Sequence, residues 1–342
     1  MRKLLNTLYV TTSESYLSLD GNNIVLLVDG QEKFRIPFGN IENIICFSYL
    51  GVSPAFMEKC VQEGISVNFV SPSGKYQAGL VGAIKGNVTL RRAQYRLADD
   101  EARSLAIAKN IVAAKLKNSA YEVNRTIRDH ADTVDVARLQ AVEQLLKRNI
   151  ATVFGVTSKE SLLAVEGESA RIYFMSFDEM ILNKSAAFRF LGREKRPPTD
   201  NVNAMLSYFY TILGLEYKSA LECVGLDPYV GFYHTDRSGR HSLALDLMEE
   251  LRAVRVDRFV LSLVNLGQVT ENDFLHKEGG AVLMTDDGRR KILKAWQEKK
   301  SESITHPHIN EKIKIGLIPY VQAQLLAGHI RGDADEYMAY LR

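Results

Sequence analysis

Short apolar runs alternate with turn residues in the first quarter of the chain. Residues 4–10, 16–19, 24–28, 34–37 and 65–70 are rich in branched and aromatic side chains. Asp20-Gly21-Asn22-Asn23, Asp29-Gly30, Phe38-Gly39-Asn40 and Ser71-Pro72-Ser73-Gly74 separate them, so strands are expected. Ser53 as N-cap, Pro54 at the first helical position and Gly64 as a stop predict one short helix among them. Beyond Asn87 the period lengthens. Residues 90–116 contain no Gly or Pro and are expected to form one long helix. Further helices are expected over 134–153, 158–181, 201–224, 242–266, 286–300 and 310–327. The expected architecture is α+β. A small N-terminal β-sandwich-like domain (1–88) leads through a linker and the start of the first long helix (89–98) to a larger all-helical C-terminal domain (99–342).

Composition narrows the class. At 342 residues, 46% hydrophobic and 25% charged, the chain can bury two ordinary cores and is not disordered. No run of 18 apolar residues suggests a membrane span, and the first residues lack the apolar stretch of a secretory signal. Three cysteines, Cys46, Cys60 and Cys223, lack metal-type spacing and suit buried thiols in a reducing compartment, so the cytoplasm is expected. Net charge is only +2, but basic residues cluster over 85–96, 184–196 and 289–300. Each cluster alone reads as a solvated face; three together tilt toward phosphate binding.

The candidate chemistry lies in the helical part. On a helix, Asp246 and Glu249 stand about 60° apart, and their neighbours Leu243, Leu245, Leu247, Met248 and Leu251 put them at the buried edge. Buried carboxylates need cations. His234 sits in the loop that feeds this helix, and Glu166 falls on the apolar side of its own helix with Leu162, Leu163 and Ala170. His306 and His308 are read as an exposed loop rather than a second metal site.

Several blocks together resemble a known family. They are Leu90-Arg91-Arg92-Ala93-Gln94-Tyr95, Val165-Glu166-Gly167, Ala170-Arg171-Ile172-Tyr173-Phe174 and Arg196-Pro197-Pro198 through Asn203. They continue with Gly231-Phe232-Tyr233-His234, Ser242 through Arg252, and Val256-Asp257-Arg258. In this order they resemble the CRISPR-associated spacer-acquisition integrases and endonucleases, the Cas1 family, and look most like its subtype I-C branch. The resemblance implies Glu166, His234 and Glu249 as ligands of Mn²⁺ or Mg²⁺, with Asp246 as a further acid and fourth residue of the catalytic site. Which of Asp246 and Glu249 binds directly stays open. It also implies attack of a 3′-hydroxyl of incoming DNA on a phosphodiester of a repeat. The DNA phosphates would meet Arg91, Arg92, Arg193, Lys195 and Arg196, while Arg171 and Asn203 would support the acids or tie helices together. Implied partners are DNA, a second copy through the β domains, Cas2, and a Cas4 nuclease, with no membrane. The alternatives are a metal-dependent nuclease acting on branched or repair DNA, and a noncatalytic nucleic-acid scaffold.

Overall fold

The computed structural model describes residues 6–12, 14–47, 50–71, 76–80, 88–194 and 197–342. They divide into two compact units. One is Met1–Gly86 with Arg289–Ile304 and Ile313–Leu317; the other is Asn87–Gly288 with Thr305–Lys312 and Ile318–Arg342.

The first unit contains β1 (Asn6–Val10), β2 (Ser15–Asp20), β3 (Asn23–Val28), β4 (Gln31–Pro37), β5 (Ile41–Cys46), β6 (Gly51–Val52), α1 (Pro54–Glu63), β7 (Ser66–Val70) and β8 (Tyr76–Leu80). One sheet has the order β4-β3-β2-β6 and the other β1-β5-β7-β8. Asp29 and Gly30 both take positive φ (52° and 72°), the tight hairpin turn that joins β3 to β4. In the second sheet β1, β5 and β7 run parallel. Parallel neighbours need a crossover, and α1 supplies it between β5 and β7. Its Ser53 hydroxyl accepts from the Phe56 N–H, and Gly64 closes it in the left-handed region. Leu17 and Ile24 from one sheet, Ile44 and Val67 from the other, and Phe56 and Cys60 of α1 share one core. The strands β5 and β8 lie outside the runs expected from sequence. The first residues of the expected first strand, and Pro72 to Gly74 of the expected turn, lie outside the described residues.

The division of the chain differs from the expected boundaries, because residues 289–304 and 313–317 join the strand-rich unit. Ile292, Leu293 and Trp296 form an apolar stripe that is buried. Lys300 donates from Nζ to Thr7 Oγ1 at 3.1 Å, and the Arg289 guanidinium lies 5.7 Å from the Phe47 ring centre. Arg289 and Lys300 are buried, so the ends of the third basic cluster do not form a solvated phosphate-binding face.

The second unit is mostly helical. It holds α2 (Val88–Asp99), α3 (Glu101–His130), α4 (Val136–Gly155), α5 (Lys159–Met175), α6 (Asn201–Val224), α7 (Ser242–Met248), α8 (Arg258–Asn265) and the hairpin strands β9 (Phe274–His276) and β10 (Val282–Met284). Next come α9 (Asp286–Ser301), which passes into the first unit at Arg289, the short strands β11 (Ser303–Thr305) and β12 (Lys312–Lys314), and α10 (Ile318–Arg331). The all-helical expectation is corrected by these strand pairs, which are only three residues each and carry no alternating signal. The single helix expected over 90–116 is two, because the Asp100 carboxylate accepts from the Arg103 N–H and caps α3. The helix expected over 242–266 is also interrupted. After α7 the backbone tightens into a 3₁₀ turn at Glu249–Leu251, widens into a π-helix over Arg252–Asp257, and regularises in α8.

Candidate metal centre

Ala108, Val112 and Leu116 of α3 pack with Leu162 of α5 and with Tyr233 in one apolar cluster, and Val165 lies against it. This packing sets Lys115, on the same face of α3, beside Glu166 on α5. The Lys115 ammonium is bonded to Glu166 Oε1 and stands 2.6 Å from Glu249 Oε2. Arg252 Nη2 lies 3.0 Å from Glu249 Oε1. Burial opposes a charge on Glu249, but Arg252, Lys115 and His234 outweigh it and hold its carboxyl well below the ordinary range. Burial likewise works against the Lys115 charge, and Glu249 and Glu166 overcome it, raising its pKa.

Asp246 has a different task. One of its oxygens, Oδ2, accepts the N–H groups of Phe232 (2.7 Å) and Tyr233 (2.9 Å), and Oδ1 accepts that of His234 (2.8 Å). Oδ1 also lies 2.7 Å from His234 Nδ1. The carboxylate is fully buried, and the loop is wrapped around it. The wrapping is close: a Cβ at Gly231 would stand 2.7 Å from Asp246 Oδ2. With Nδ1 engaged by Asp246, His234 keeps Nε2 for another partner. The Tyr233 hydroxyl reaches 3.5 Å from Glu166 Oε2.

A cavity of about 420 Å³ adjoins Glu166, and Lys115, Arg171, Arg193 and Arg252 line it. On its wall the buried Asp257 accepts the hydroxyls of Tyr173 (3.1 Å) and Tyr210. Burial raises the Asp257 carboxyl to about 6 against these bonds.

Glu166, His234, Asp246 and Glu249 therefore belong to one neighbourhood. The supporting candidates do not touch the acids. Arg171 is exposed and points Nη1 at Met175 Sδ. Asn203 accepts from Arg193 (2.7 Å) and from the Glu194 N–H (3.0 Å), and donates to Gly192 O (2.8 Å), so it ties down the loop ahead of α6. Arg193 is thus held inward rather than offered to solvent. On α2, Arg92 is exposed and Arg91 half-buried; Lys195 and Arg196 lie outside the described residues. His306, expected in an exposed loop, is fully buried against Gln322, and His308 bonds Ala339 O at 2.7 Å. Sequence reasoning missed Lys115, although a lysine one turn from Ile111 and Val112 on a buried helix face was a readable signal.

Among the described residues, no three His, Cys, Asp or Glu side chains are already gathered as a metal cluster; the Lys115 ammonium stands between the two glutamates. The residues nevertheless fit a divalent ion. Two carboxylates converge on one cationic nitrogen, which stands 2.6 Å from the buried Glu249 Oε2, and an imidazole nitrogen is left over. Hard oxygens with one imidazole suit Mn²⁺ or Mg²⁺.

Comparison with known proteins agrees with the block resemblance. The family model described as CRISPR associated protein Cas1 matches residues 8–298. A CRISPR-associated endonuclease Cas1 of Chlorobaculum tepidum is 43% identical over 341 residues, covering 100% of this chain and 99% of that one. A casposase bound to integration product superposes with a TM-score of 0.84 at 21% identity, over 98% of this chain and 93% of the other. A chain of a Cas6-RT-Cas1–Cas2 complex superposes at 0.83 and 21% identity, over 100% of this chain and 37% of that one. At these identities the structural likenesses concern the fold.

Proposed function

The chain belongs to the CRISPR-associated Cas1 family, and from that premise we propose that it inserts short duplex DNA into a CRISPR repeat, a 3′-hydroxyl attacking a phosphodiester. The observation that carries this reading is the convergence of Glu166 and Glu249 on one cation beside a histidine whose ring is fixed by Asp246. Glu166, Glu249 and His234 Nε2 would hold Mn²⁺ or Mg²⁺. When bound, the ion supplies positive charge against the charge that develops on the phosphoryl and leaving oxygens. Asp246 accepts from Nδ1 and so favours the tautomer that leaves Nε2 with its lone pair, as a metal ligand requires, while its own two oxygens are taken up by the loop and the ring. Arg252, over the Tyr210 ring at 4.6 Å, and the cationic cavity wall attract phosphate. Arg91 and Arg92, with Lys195 and Arg196, would hold DNA farther from the reacting atoms.

Family membership also supports a working assembly of two copies with Cas2, accompanied by Cas4, and the block spellings support the subtype I-C branch. The test is strand transfer of a 3′-hydroxyl duplex into a supercoiled repeat-bearing plasmid with Mn²⁺ and the Cas2 partner. Joining by wild type, and its loss by at least about a hundredfold in Glu166→Gln and His234→Ala, is expected. Cleavage without joining would favour a repair nuclease; joining unaffected by either substitution would remove the site from the chemistry.

A further inference from the structure

We propose that Lys115 is a built-in counter-cation that competes with the divalent metal for Glu166 and Glu249 and, once displaced, becomes a phosphate ligand, so that metal and DNA bind cooperatively. The inference rests on the metal reading above. One ammonium meets both glutamates, and all three side chains are largely withdrawn from water, at 11%, 17% and 4% exposure for Lys115, Glu166 and Glu249. Two buried carboxylates without a cation would repel each other, so the metal-free site needs the lysine. A dication on the same oxygens would place three positive charges together with Arg252, which already holds Glu249 Oε1. The ammonium must then leave.

Where it can go is set by its surroundings. The stem of Lys115 rises from a face of α3 packed by Val112 and Leu116, which fixes its base but not its flexible end. The same side chain lines the cavity of about 420 Å³ with Arg171, Arg193 and Arg252. Glu166 and the tyrosine-bonded Asp257 are the acids there, and metal binding would consume the charge of Glu166. The cavity then holds four cationic side chains and fits an anionic phosphodiester. Each ligand thereby removes an obstacle to the other: metal releases the ammonium toward phosphate, and phosphate draws the ammonium off the glutamates. By linkage the two effects are equal in size.

The experiment is calorimetric titration of Mn²⁺ into wild type, Lys115→Met and Lys115→Arg, each alone and with a duplex ending in 3′-deoxynucleotides, which cannot react. Lys115→Met should bind Mn²⁺ about tenfold more tightly than wild type without DNA, while Lys115→Arg stays near wild type. The duplex should tighten Mn²⁺ binding to wild type by roughly five- to a hundredfold and leave Lys115→Met nearly unchanged. Equal or weaker Mn²⁺ binding by Lys115→Met would overturn the proposal, as would an undiminished DNA effect in that variant. Should Lys115→Met be too unstable to titrate, Lys115→Gln and the rise of the unfolding temperature with Mn²⁺ decide: a rise larger than in wild type supports competition, a smaller one refutes it. Glu166→Gln separates the premise from the inference. If it binds Mn²⁺ as wild type does, the metal reading itself is wrong.

Discussion

Asp246 is a carboxylate with no surface, and its energetics lie in what it accepts. Three backbone N–H groups and one imidazole converge on its two oxygens. Asparagine has the same shape but replaces one oxygen by an amino group, which would face two N–H donors if placed at Oδ2. Hydrogen bonds to a charged group contribute about 1.5–3 kcal/mol each, so Asp246→Asn should lower stability by about 3 kcal/mol in urea unfolding and slow joining through a misoriented His234. Gly231→Ala attacks the same wrapping from the other side. Its Cβ would meet Asp246 Oδ2 at 2.7 Å and Ser242 Cβ at 3.0 Å, and the displacement should cost about 1–3 kcal/mol. An Ala variant with unchanged stability and unchanged Mn²⁺ affinity would show that the loop is not held as described. The sequence placed His234 near Asp246 and Glu249 but left their roles open. Only the hydrogen-bond count separates the acid that holds the loop from the acid that faces the cation.

Elements explain why that distinction was hidden. An uninterrupted helix over 242–266 would give Asp246 and Glu249 neighbouring directions, yet the 3₁₀ turn begins at Glu249 and the following π-helix carries Arg252 and Asp257. Nothing in the local spelling announces the break, because no Gly or Pro falls within it; distant partners hold it. Glu250 Oε2 accepts from the Tyr340 N–H (2.6 Å) and from Gln322 (2.8 Å), and Oε1 from the Tyr337 hydroxyl. Asn118 of α3 donates to Glu250 O (2.7 Å) and Tyr340 O (2.9 Å). The C-terminal segment and α10 thus brace the turn that presents Glu249. The Gln322 side-chain oxygen also accepts from His306 Nε2 at 3.1 Å. Gln322→Leu would strip partners from Glu250 and His306 at once, each unsatisfied group costing about 1–3 kcal/mol. A loss of about 3 kcal/mol is expected by denaturant titration; a loss under about 1 kcal/mol would mean that the brace carries little. By contrast α6 runs over the residues expected, 201–224, because its signals are local: the Asp200 side chain accepts from the Asn203 N–H, and Gly225 closes the helix at φ 85°.

The whole chain titrates through several buried groups, and two of their windows overlap near neutral pH. His241 and His306 are both lowered to about 4 by burial, so they favour the folded state above pH 6.5 and lose that effect as pH falls toward 4. Glu250 is raised to about 7, again by burial, so its folded carboxyl still loses its proton between pH 7 and 8. The Cys46 and Cys60 thiols are pushed up to about 12 and weigh in only above pH 9. Between pH 7 and 8 the larger share falls to Glu122 on α3, with Glu250 adding to it. Burial raises Glu122 to about 8, despite Arg125, which acts to lower it, and Arg258 at 3.4 Å; the nearby Asp257 adds to the rise. Unfolded, this carboxyl has lost its proton by pH 7, whereas the folded protein retains it. The folded state therefore binds more protons, and stability must fall as pH rises through this window. A full unit corresponds to about 1.4 kcal/mol, so a fall of about 1 kcal/mol from pH 7 to 8 is expected in urea unfolding of wild type. Glu122→Gln cannot release the proton and should reduce the fall there to the smaller part that Glu250 contributes, whatever its baseline stability. The same downward slope in the variant would assign the effect to another group.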